Sequence, residues 1–276
     1  MLLTIDIGNT ETTAGLFDGD VLRAHWRLTT TVARTADEVR VLMSQLVAAE
    51  GISAASITGV ALCSVVPTIT QTVVNACDLA FGVTPVVIDS RSRLPITLDV
   101  DEPSTVGADR VVNTLAASQI YKRDCIIVDM GTATTYDCVS ASGSFFGGII
   151  QPGVQTSAAM LFSRTAMLPS TALATPARAI GTNTADCIRA GVVFGAADSI
   201  DGLIGRIKAE WPHPDTPYVV ATGGLAGLFG TGSKYIREVD DLLTLEGLRI
   251  IWERNAAARK PAPGKSAAGA AGKPRR

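Results

Sequence analysis

A short apolar run that ends in an acid and a glycine occurs twice in this chain, and this repeat constrains the fold more than any other feature. The copies are Leu2–Thr10 and Cys125–Thr135. In each, a buried strand carries one carboxylate, Asp6 or Asp129, to its end, and the following glycine lets backbone N–H groups turn inward. One copy alone would be an ordinary strand ending in a β-turn. Two copies, with Asp129 offset from Asp6 by 123 positions, predict an internal duplication.

The arrangement of predicted elements supports two similar halves with a cleft between them. Each half starts with antiparallel strands, and alternating helices and strands follow, which indicates an α/β fold with a mixed sheet. Asp18-Gly-Asp20 is a hairpin turn signal, and Thr35-Ala-Asp-Glu38 is a capping box that predicts a helix start. We expect an N-terminal half over 1–113, a C-terminal half over 114–255, and a disordered basic tail over 256–276.

The composition is that of a globular protein. With 276 residues, of which 47% are hydrophobic and 18% charged, the chain can bury the core of one large domain or two modest ones. No stretch approaches the ~18 uninterrupted apolar residues of a membrane span. The first apolar run is short and has no basic segment before it, unlike a signal peptide. We therefore predict a cytoplasmic protein with no membrane partner.

Cysteine and histidine usage argues against a zinc site and against histidine-dependent hydrolases. The five cysteines are scattered and never spaced as C-x-x-C, which predicts reduced thiols rather than disulfides or a zinc site. The two histidines, His25 and His213, have no metal-ligand or serine partner in a recognisable motif.

The basic residues are concentrated at the C-terminus. Seven lie from Arg254 onward, and removing their charges from the formal net charge of −2 leaves the body near −9. An acidic body argues against nucleic acid as the main partner. The tail over 261–276 is either a solvated appendage or a weak contact for a polyanion.

The duplicated turns predict a site for phosphate and a cation. Two opposed turns with carboxylates could hold a nucleoside triphosphate from both sides. Gly230–Lys234 lacks the spacing of a phosphate-binding P-loop and is interpreted as a surface loop. Asp109 opens a predicted helix, where the dipole should keep it ionised, so it could accept a proton from an attacking hydroxyl. Arg110 beside it could bind a carboxylate or phosphate oxygen. Asp109 could equally be a surface acid paired with Arg110.

Six motifs in order resemble those of type III pantothenate kinase, a family of the actin/Hsp70/sugar-kinase superfamily. The motifs are Asp6-Ile-Gly-Asn-Thr10, Gly107-Ala-Asp-Arg110, Asp129-Met-Gly-Thr-Ala133, Gly147-Gly-Ile-Ile-Gln-Pro-Gly153, Gly181-Thr-Asn-Thr184 and Thr222-Gly-Gly224. The resemblance spans Met1 to about Asn255. It implies two ribonuclease H-like halves in an actin-like ATPase fold, and ATP-dependent phosphorylation of pantothenate to 4′-phosphopantothenate in coenzyme A synthesis.

The resemblance also implies roles for individual residues. Asp109 would be the catalytic base. Asp129 would bind a monovalent cation, K⁺ or NH₄⁺, and Asp6 could reach Mg²⁺ through water. ATP would contact Asp6, Ile7, Gly8, Asn9, Thr10 and Thr132, and pantothenate would contact Gly107, Ala108, Asp109, Arg110 and Thr184. The family forms homodimers with the substrate pocket at the subunit interface, so the same assembly is expected here.

Three positions depart from the family pattern. Val100 stands where a tyrosine commonly packs on the substrate, Glu11 where asparagine is frequent, and Thr182 where a basic residue is common. Val100 keeps open a kinase of the same fold with another small hydroxy acid or sugar as acceptor. The basic tail keeps open a nucleotide-binding transcription accessory factor.

Overall fold

The computed structural model describes residues 1–230 and 232–259, with side chains through 256, and contains two mixed β-sheets and seven α-helices in that part of the chain. The strands are β1 Leu2–Ile7, β2 Glu11–Asp18, β3 Val21–Thr29, β4 Gly59–Ser64, β5 Val86–Ile88, β6 Thr97–Leu98, β7 Cys125–Met130, β8 Ala133–Val139, β9 Ser144–Pro152, β10 Tyr218–Thr222 and β11 Glu238–Val239. The helices are α1 Ala36–Ala49, α2 Pro67–Phe81, α3 Ala108–Ile120, α4 Val154–Arg164, α5 Thr184–Ala209, α6 Ala226–Phe229 and α7 Leu243–Arg259.

The two sheets have the same strand order, which confirms the predicted duplication. The first sheet runs β3-β2-β1-β4-β5, and the second runs β9-β8-β7-β10-β11 with β6 added beside β9. In both, the first three strands of the half are antiparallel and the last two are parallel to the central strand. This is the doubled ribonuclease H-like arrangement of the actin-like ATPase fold.

In the turn after each central strand, the glycine N–H donates to a carbonyl at the start of the next strand. Gly8 N donates to Glu11 O at 3.0 Å after β1, and Gly131 N donates to Ala133 O at 3.0 Å after β7. Each glycine therefore closes a tight turn into the next antiparallel strand. The repeated acid-glycine pattern has therefore produced similar turns, the first one residue longer than the second.

Helices cover both faces of the first sheet and separate it from the second. The outer face of the first sheet packs on α1 and α2, and that of the second packs mainly on α5. The inner faces pack on α3 and α7, so α3 contributes Leu115 to the core beside β1 and Ala116 to the core beside β7. The two inner helices cross closely, since a Cβ at Gly247 would lie 2.6 Å from Val112 Cγ1. The cleft therefore opens beside a well-packed helical layer.

Most predicted elements are present, and the departures are short or terminal. The Thr35–Glu38 capping box forms as predicted, with Thr35 N donating to Glu38 Oε2 at 2.7 Å. The sequence did not indicate β6, β11 or α6, which have two to four residues each. The last helix was predicted over about 245–255 and is longer at both ends. The rest of the predicted tail, from residue 260, lies outside the described residues.

The five cysteines are free thiols, as predicted, and four of them are buried. Among the described residues, no helix combines the length and apolar character required to cross a bilayer.

Candidate active site

Three acids meet where the inner faces of both sheets approach α3. Asp6 lies on β1 and Asp129 on β7, each on the strand face that packs on the inner helices, and Asp109 lies in the first turn of α3. The pKa of Asp6 is raised to about 7, first by burial and then by the charge of Asp109. Burial also raises the pKa of Asp129 to about 8, with further repulsion from Asp109 and Asp6. The acids are therefore close enough to oppose one another's ionisation.

The two turns that follow these strands touch each other across the cleft. Thr10 Oγ1 and Thr132 Oγ1 lie 2.8 Å apart, in the equivalent turns of the two halves. Both hydroxyls are exposed, as is Asn9, while the Ile7 side chain is fully buried, so only the backbone of Ile7 can face a ligand. The pair of turns thus offers hydroxyl groups and backbone N–H groups from both sides of one opening.

Each strand-end acid is fixed by its neighbours. The Cys63 thiol donates to Asp6 Oδ1 at 3.3 Å, which partly offsets the effect of burial on the pKa of Asp6. Gly223, at φ +89°, brings the backbone against Asp129, because a Cβ there would lie 2.5 Å from Asp129 Oδ1. Asn113 of α3 lies beside Asp129 and lowers its pKa slightly. These contacts point both carboxyls at the cleft.

Asp109 is held by the start of its own helix. Arg110 N donates to Asp109 Oδ1 at 2.8 Å, and the absence of a Cβ at Gly107 leaves room for that oxygen. The helix dipole alone predicts a lowered pKa, but burial raises it and outweighs the backbone hydrogen bond and the Arg110 charge. The shift is opposite to the sequence-based expectation, and it makes Asp109 a stronger proton acceptor when ionised.

Arg110 does not pair with Asp109 through its side chain. Its Nε and Nη2 lie 2.7 Å and 2.6 Å from Oδ1 of Asp137, a fully buried acid of β8. Asp137 is not among the predicted site residues, although an acid between Tyr136 and Cys138 in an apolar strand is a recognisable signal. The alternative in which Asp109 and Arg110 form a surface pair is therefore wrong.

A cavity of about 240 Å³ extends from Asp6 and Asp129 between the halves. Its wall includes four polar residues that are not among the predicted site residues: Glu11, His25, Arg27 and Asp241. Strand register places Arg27 there, because Asp6 pairs with Thr13 and Thr13 pairs with Arg27 on the same face. The cavity also reaches Thr222, Gly223 and Gly224.

Two positions singled out by the resemblance do not line this cavity. Thr184 is the exposed first residue of α5, and no hydrogen bond within the described residues joins it to the Gly107–Arg110 segment. Val100 packs beside Phe145 and the second sheet's inner core. Ala108 is also buried, so its side chain serves the core rather than the opening.

The donor set fits a cation shared with a ligand rather than a closed metal cage. Among residues 1–230 and 232–259, no three His, Cys, Asp or Glu side chains are grouped as metal ligands. Asp6 and Asp129 nevertheless present hard carboxylate oxygens, and burial, followed by repulsion from neighbouring acids, raises the pKa of both. Mg²⁺ commonly takes one or two carboxylates, with waters and phosphate oxygens completing its shell.

The chain is similar to known proteins in sequence and in fold. The model of the type III pantothenate kinase family matches residues 2–206. A type III pantothenate kinase of Koribacter versatilis is 43% identical, over 96% of this chain and the whole of that protein.

Solved structures are similar at the level of the fold. One is a candidate Baf-family transcriptional activator from Campylobacter jejuni, at TM-score 0.58 and 18% identity, covering 92% of this chain and 99% of that one. Another is (R)-2-hydroxyglutaryl-CoA dehydratase component A from Acidaminococcus fermentans, at TM-score 0.53 and 15% identity, covering 94% and 99%. At these identities the likeness shows the fold alone.

Proposed function

The chain belongs to the type III pantothenate kinase family, and from that premise we propose how its residues divide the reaction. The protein transfers the γ-phosphoryl group of ATP to pantothenate, giving 4′-phosphopantothenate, the first step of coenzyme A biosynthesis. It uses ATP with Mg²⁺. The comparisons favour neither another acceptor nor a transcription accessory role.

We assign the ATP phosphates to the two touching turns. The 2.8 Å contact between Thr10 and Thr132 is the observation that carries this assignment, because it brings both halves to one point beside Asp6. The backbone of Asp6–Thr10 and the Thr132 hydroxyl would donate to phosphate oxygens. The cavity that continues towards Gly223 and Gly224 would receive the nucleoside.

Asp109 is proposed as the catalytic base. Its carboxylate would orient the primary hydroxyl of pantothenate and accept that proton as the phosphoryl group transfers. Its raised pKa, caused by burial, makes the ionised carboxylate a stronger proton acceptor. Gly107–Arg110 would hold the substrate from the start of α3, and Arg110 would receive its carboxylate.

We propose that Asp129 binds a monovalent cation, K⁺ or NH₄⁺. ATP adds about four negative charges to a cleft that already holds Asp6, Asp109 and Asp129, so counter-charge is required. Bound cations supply positive charge beside the phosphate oxygens when present. Turnover should be much faster in KCl than in NaCl at equal ionic strength, and equal rates would contradict this assignment.

A homodimer is proposed from the exposed apolar surface between β9 and α5. Ile150, Met160, Met167 and Ile180 are 65%, 53%, 91% and 81% exposed. Thr184 begins α5, four positions after Ile180. A partner chain covering this surface would therefore place α5 of one protomer near the substrate pocket at the subunit interface. Light scattering should give a dimer, and Ile150→Lys should yield monomers with reduced turnover. Leu79→Lys on α2, where the leucine is 59% exposed, is the matched control.

The central experiment is an acceptor screen with coupled detection of ADP. Purified protein should release ADP with pantothenate and not without it. Asp109→Asn should abolish turnover while nucleotide binding survives. The control Asp37→Asn changes an exposed first-turn acid of α1 and should leave turnover unchanged. Normal turnover by Asp109→Asn would remove the base assignment, and preference for another hydroxy acid would change the acceptor.

A further inference from the structure

The Arg110 guanidinium is fixed on one edge by a single buried oxygen. Asp137 is 0% exposed; its Oδ1 accepts a hydrogen bond from Arg110 Nε at 2.7 Å and forms an ion pair with Nη2 at 2.6 Å. The second oxygen, Oδ2, is buried without a hydrogen-bond partner among the described residues. Arg110 keeps only 15% of its side chain exposed. The pair is therefore an internal contact between α3 and β8, not a surface salt bridge.

Phe145 and Gly148 also shape the space that this guanidinium occupies. Its central carbon lies 4.9 Å from the centre of the Phe145 ring, within the range of a cation–π contact. Gly148 of β9 leaves the space that the group fills, because a Cβ there would lie 2.8 Å from Nη2 and would overlap the Tyr136 carbonyl. Asp137, Phe145 and Gly148 thus hold the group from three directions. The Nη1 atom makes no hydrogen bond to the described residues.

The alternative partners of Arg110 are the acids of the site itself. The positive charge of Arg110 already lowers the pKa of Asp109, and Asp129 lies close enough to Asp137 for their charges to interact. An arginine that turned to Asp109 would neutralise the proposed base and hide its own donors. The bond to Asp137 prevents this rotation, because it engages both nitrogens on that edge.

We propose that Asp137 is a positioning residue for the kinase reaction: it holds Arg110 against β8 and β9, away from Asp109, with the Nη1 edge open to the carboxylate of the substrate. The inference rests on the proposed function, in which Arg110 binds that carboxylate. It adds a residue that touches neither substrate nor nucleotide but fixes the group that recognises the acid end of the acceptor.

The test compares pantothenate with its alcohol analogue, in which CH₂OH replaces the carboxylate. Asp137→Asn keeps the shape and an acceptor oxygen but removes the charge that fixes Arg110. We expect KM for pantothenate to rise about tenfold, kcat to change less than about threefold, and KM for ATP to stay unchanged. The preference in kcat/KM for pantothenate over the alcohol should fall about tenfold.

Arg110→Ala separates failure of this inference from failure of the proposed function. If Arg110→Ala leaves the preference for the carboxylate unchanged, Arg110 does not bind it and the proposed function is revised. If Arg110→Ala removes the preference but Asp137→Asn does not, Asp137 is not a positioning residue. In the double variant, Asp137→Asn should change the preference for pantothenate by less than about twofold beyond the effect of Arg110→Ala, because its effect passes through Arg110.

The matched control is Glu253→Gln on α7. Glu253 also pairs with an arginine, Arg249, which also lies over a phenylalanine ring, Phe17, but outside the cleft. Glu253→Gln should leave unchanged both KM for pantothenate and the preference in kcat/KM for pantothenate over the alcohol. If Asp137→Asn does not fold, Asp137→Ser replaces it with the same expected results. Loss of folding in both would assign Asp137 to stability alone and overturn the proposal.

Discussion

Ionisation of the buried Asp129 carboxyl destabilises the ligand-free protein. Asp129→Asn is therefore expected to stabilise the fold while abolishing activation by K⁺. The pKa of this carboxyl rises from 3.8 to about 8, chiefly through burial. The folded chain therefore binds the proton more tightly than the unfolded chain. The tighter proton binding by the folded chain stabilises it fully below about pH 4, and this stabilisation is lost as the pH rises towards 8.

The size of the effect follows from this shift. At about 1.4 kcal/mol per pH unit, the ionised carboxyl destabilises the fold by at most about 4 kcal/mol at pH 7 and about 6 kcal/mol above pH 8. Water in the cleft and the coupling to Asp6 reduce these values. We therefore expect Asp129→Asn to raise the free energy of unfolding by about 2–3 kcal/mol at pH 7.5.

The assay is urea unfolding of both proteins at pH 5.5, 6.5 and 7.5, without ATP, Mg²⁺, K⁺ or NH₄⁺. The stability gap should widen with pH, because this carboxyl ionises only in the wild type, while groups that do not interact with Asp129 cancel in the difference. Adding KCl should narrow the gap by stabilising only the wild type. Asp37→Asn, at an exposed acid, should show no gap. A less stable Asp129→Asn at pH 7.5, or a gap independent of pH, would refute the reasoning.

Three further predictions concern the cleft. Gly223→Ala should lower the free energy of unfolding by about 1–3 kcal/mol and remove the response to K⁺, because φ is +89° and the new Cβ would crowd the Asp129 carboxylate. Urea unfolding measures the loss of stability. The control is Gly224→Ala, where a new Cβ meets open space. Arg27→Gln should raise KM for ATP by about three- to tenfold, because it removes a positive charge from the cavity wall. Arg23→Gln, which changes an exposed arginine of the same strand, should not. Thr132→Val should raise KM for ATP by about tenfold with little change in KM for pantothenate, measured by steady-state kinetics.

Local signals predicted the local structure of this chain well. The acid-glycine repeat, the Asp18–Asp20 turn and the Thr35–Glu38 capping box each depend on residues within a few positions of one another, and each formed as predicted. Strands β6 and β11 have two residues each, too few to show a period of their own. Contacts with distant strands decide their pairing, so sequence reading could not find them.

The placement of elements was harder to predict than their existence. The apolar pattern of α7 predicts a helix but does not state which sheet it covers, and the structure packs Leu245 and Leu248 on the first sheet. β6 likewise precedes α3 in the chain but joins the second sheet. The division of the chain at 113/114 and the cytoplasmic location stay predictions.

The site was predicted as far as its motifs reached. Asp6, Asp109 and Asp129 come from the repeat and a helix start, and the structure brings them together. The pairing of Arg110 with Asp137 joins residues 27 positions apart, and nothing in the local sequence specifies it. The local sequence also does not specify how deeply Asp109 is buried, and this burial reversed the expected direction of its pKa shift.

The position of α7 has a consequence for synthesis on the ribosome. The inner face of the first sheet, including Leu2 and Phe17, is covered in part by a helix that emerges more than 200 residues later. A nascent chain that has not yet produced α7 therefore displays that apolar face, which makes it a target for chaperones and for aggregation. The N-terminal half can complete its burial only when translation of the last helix has ended.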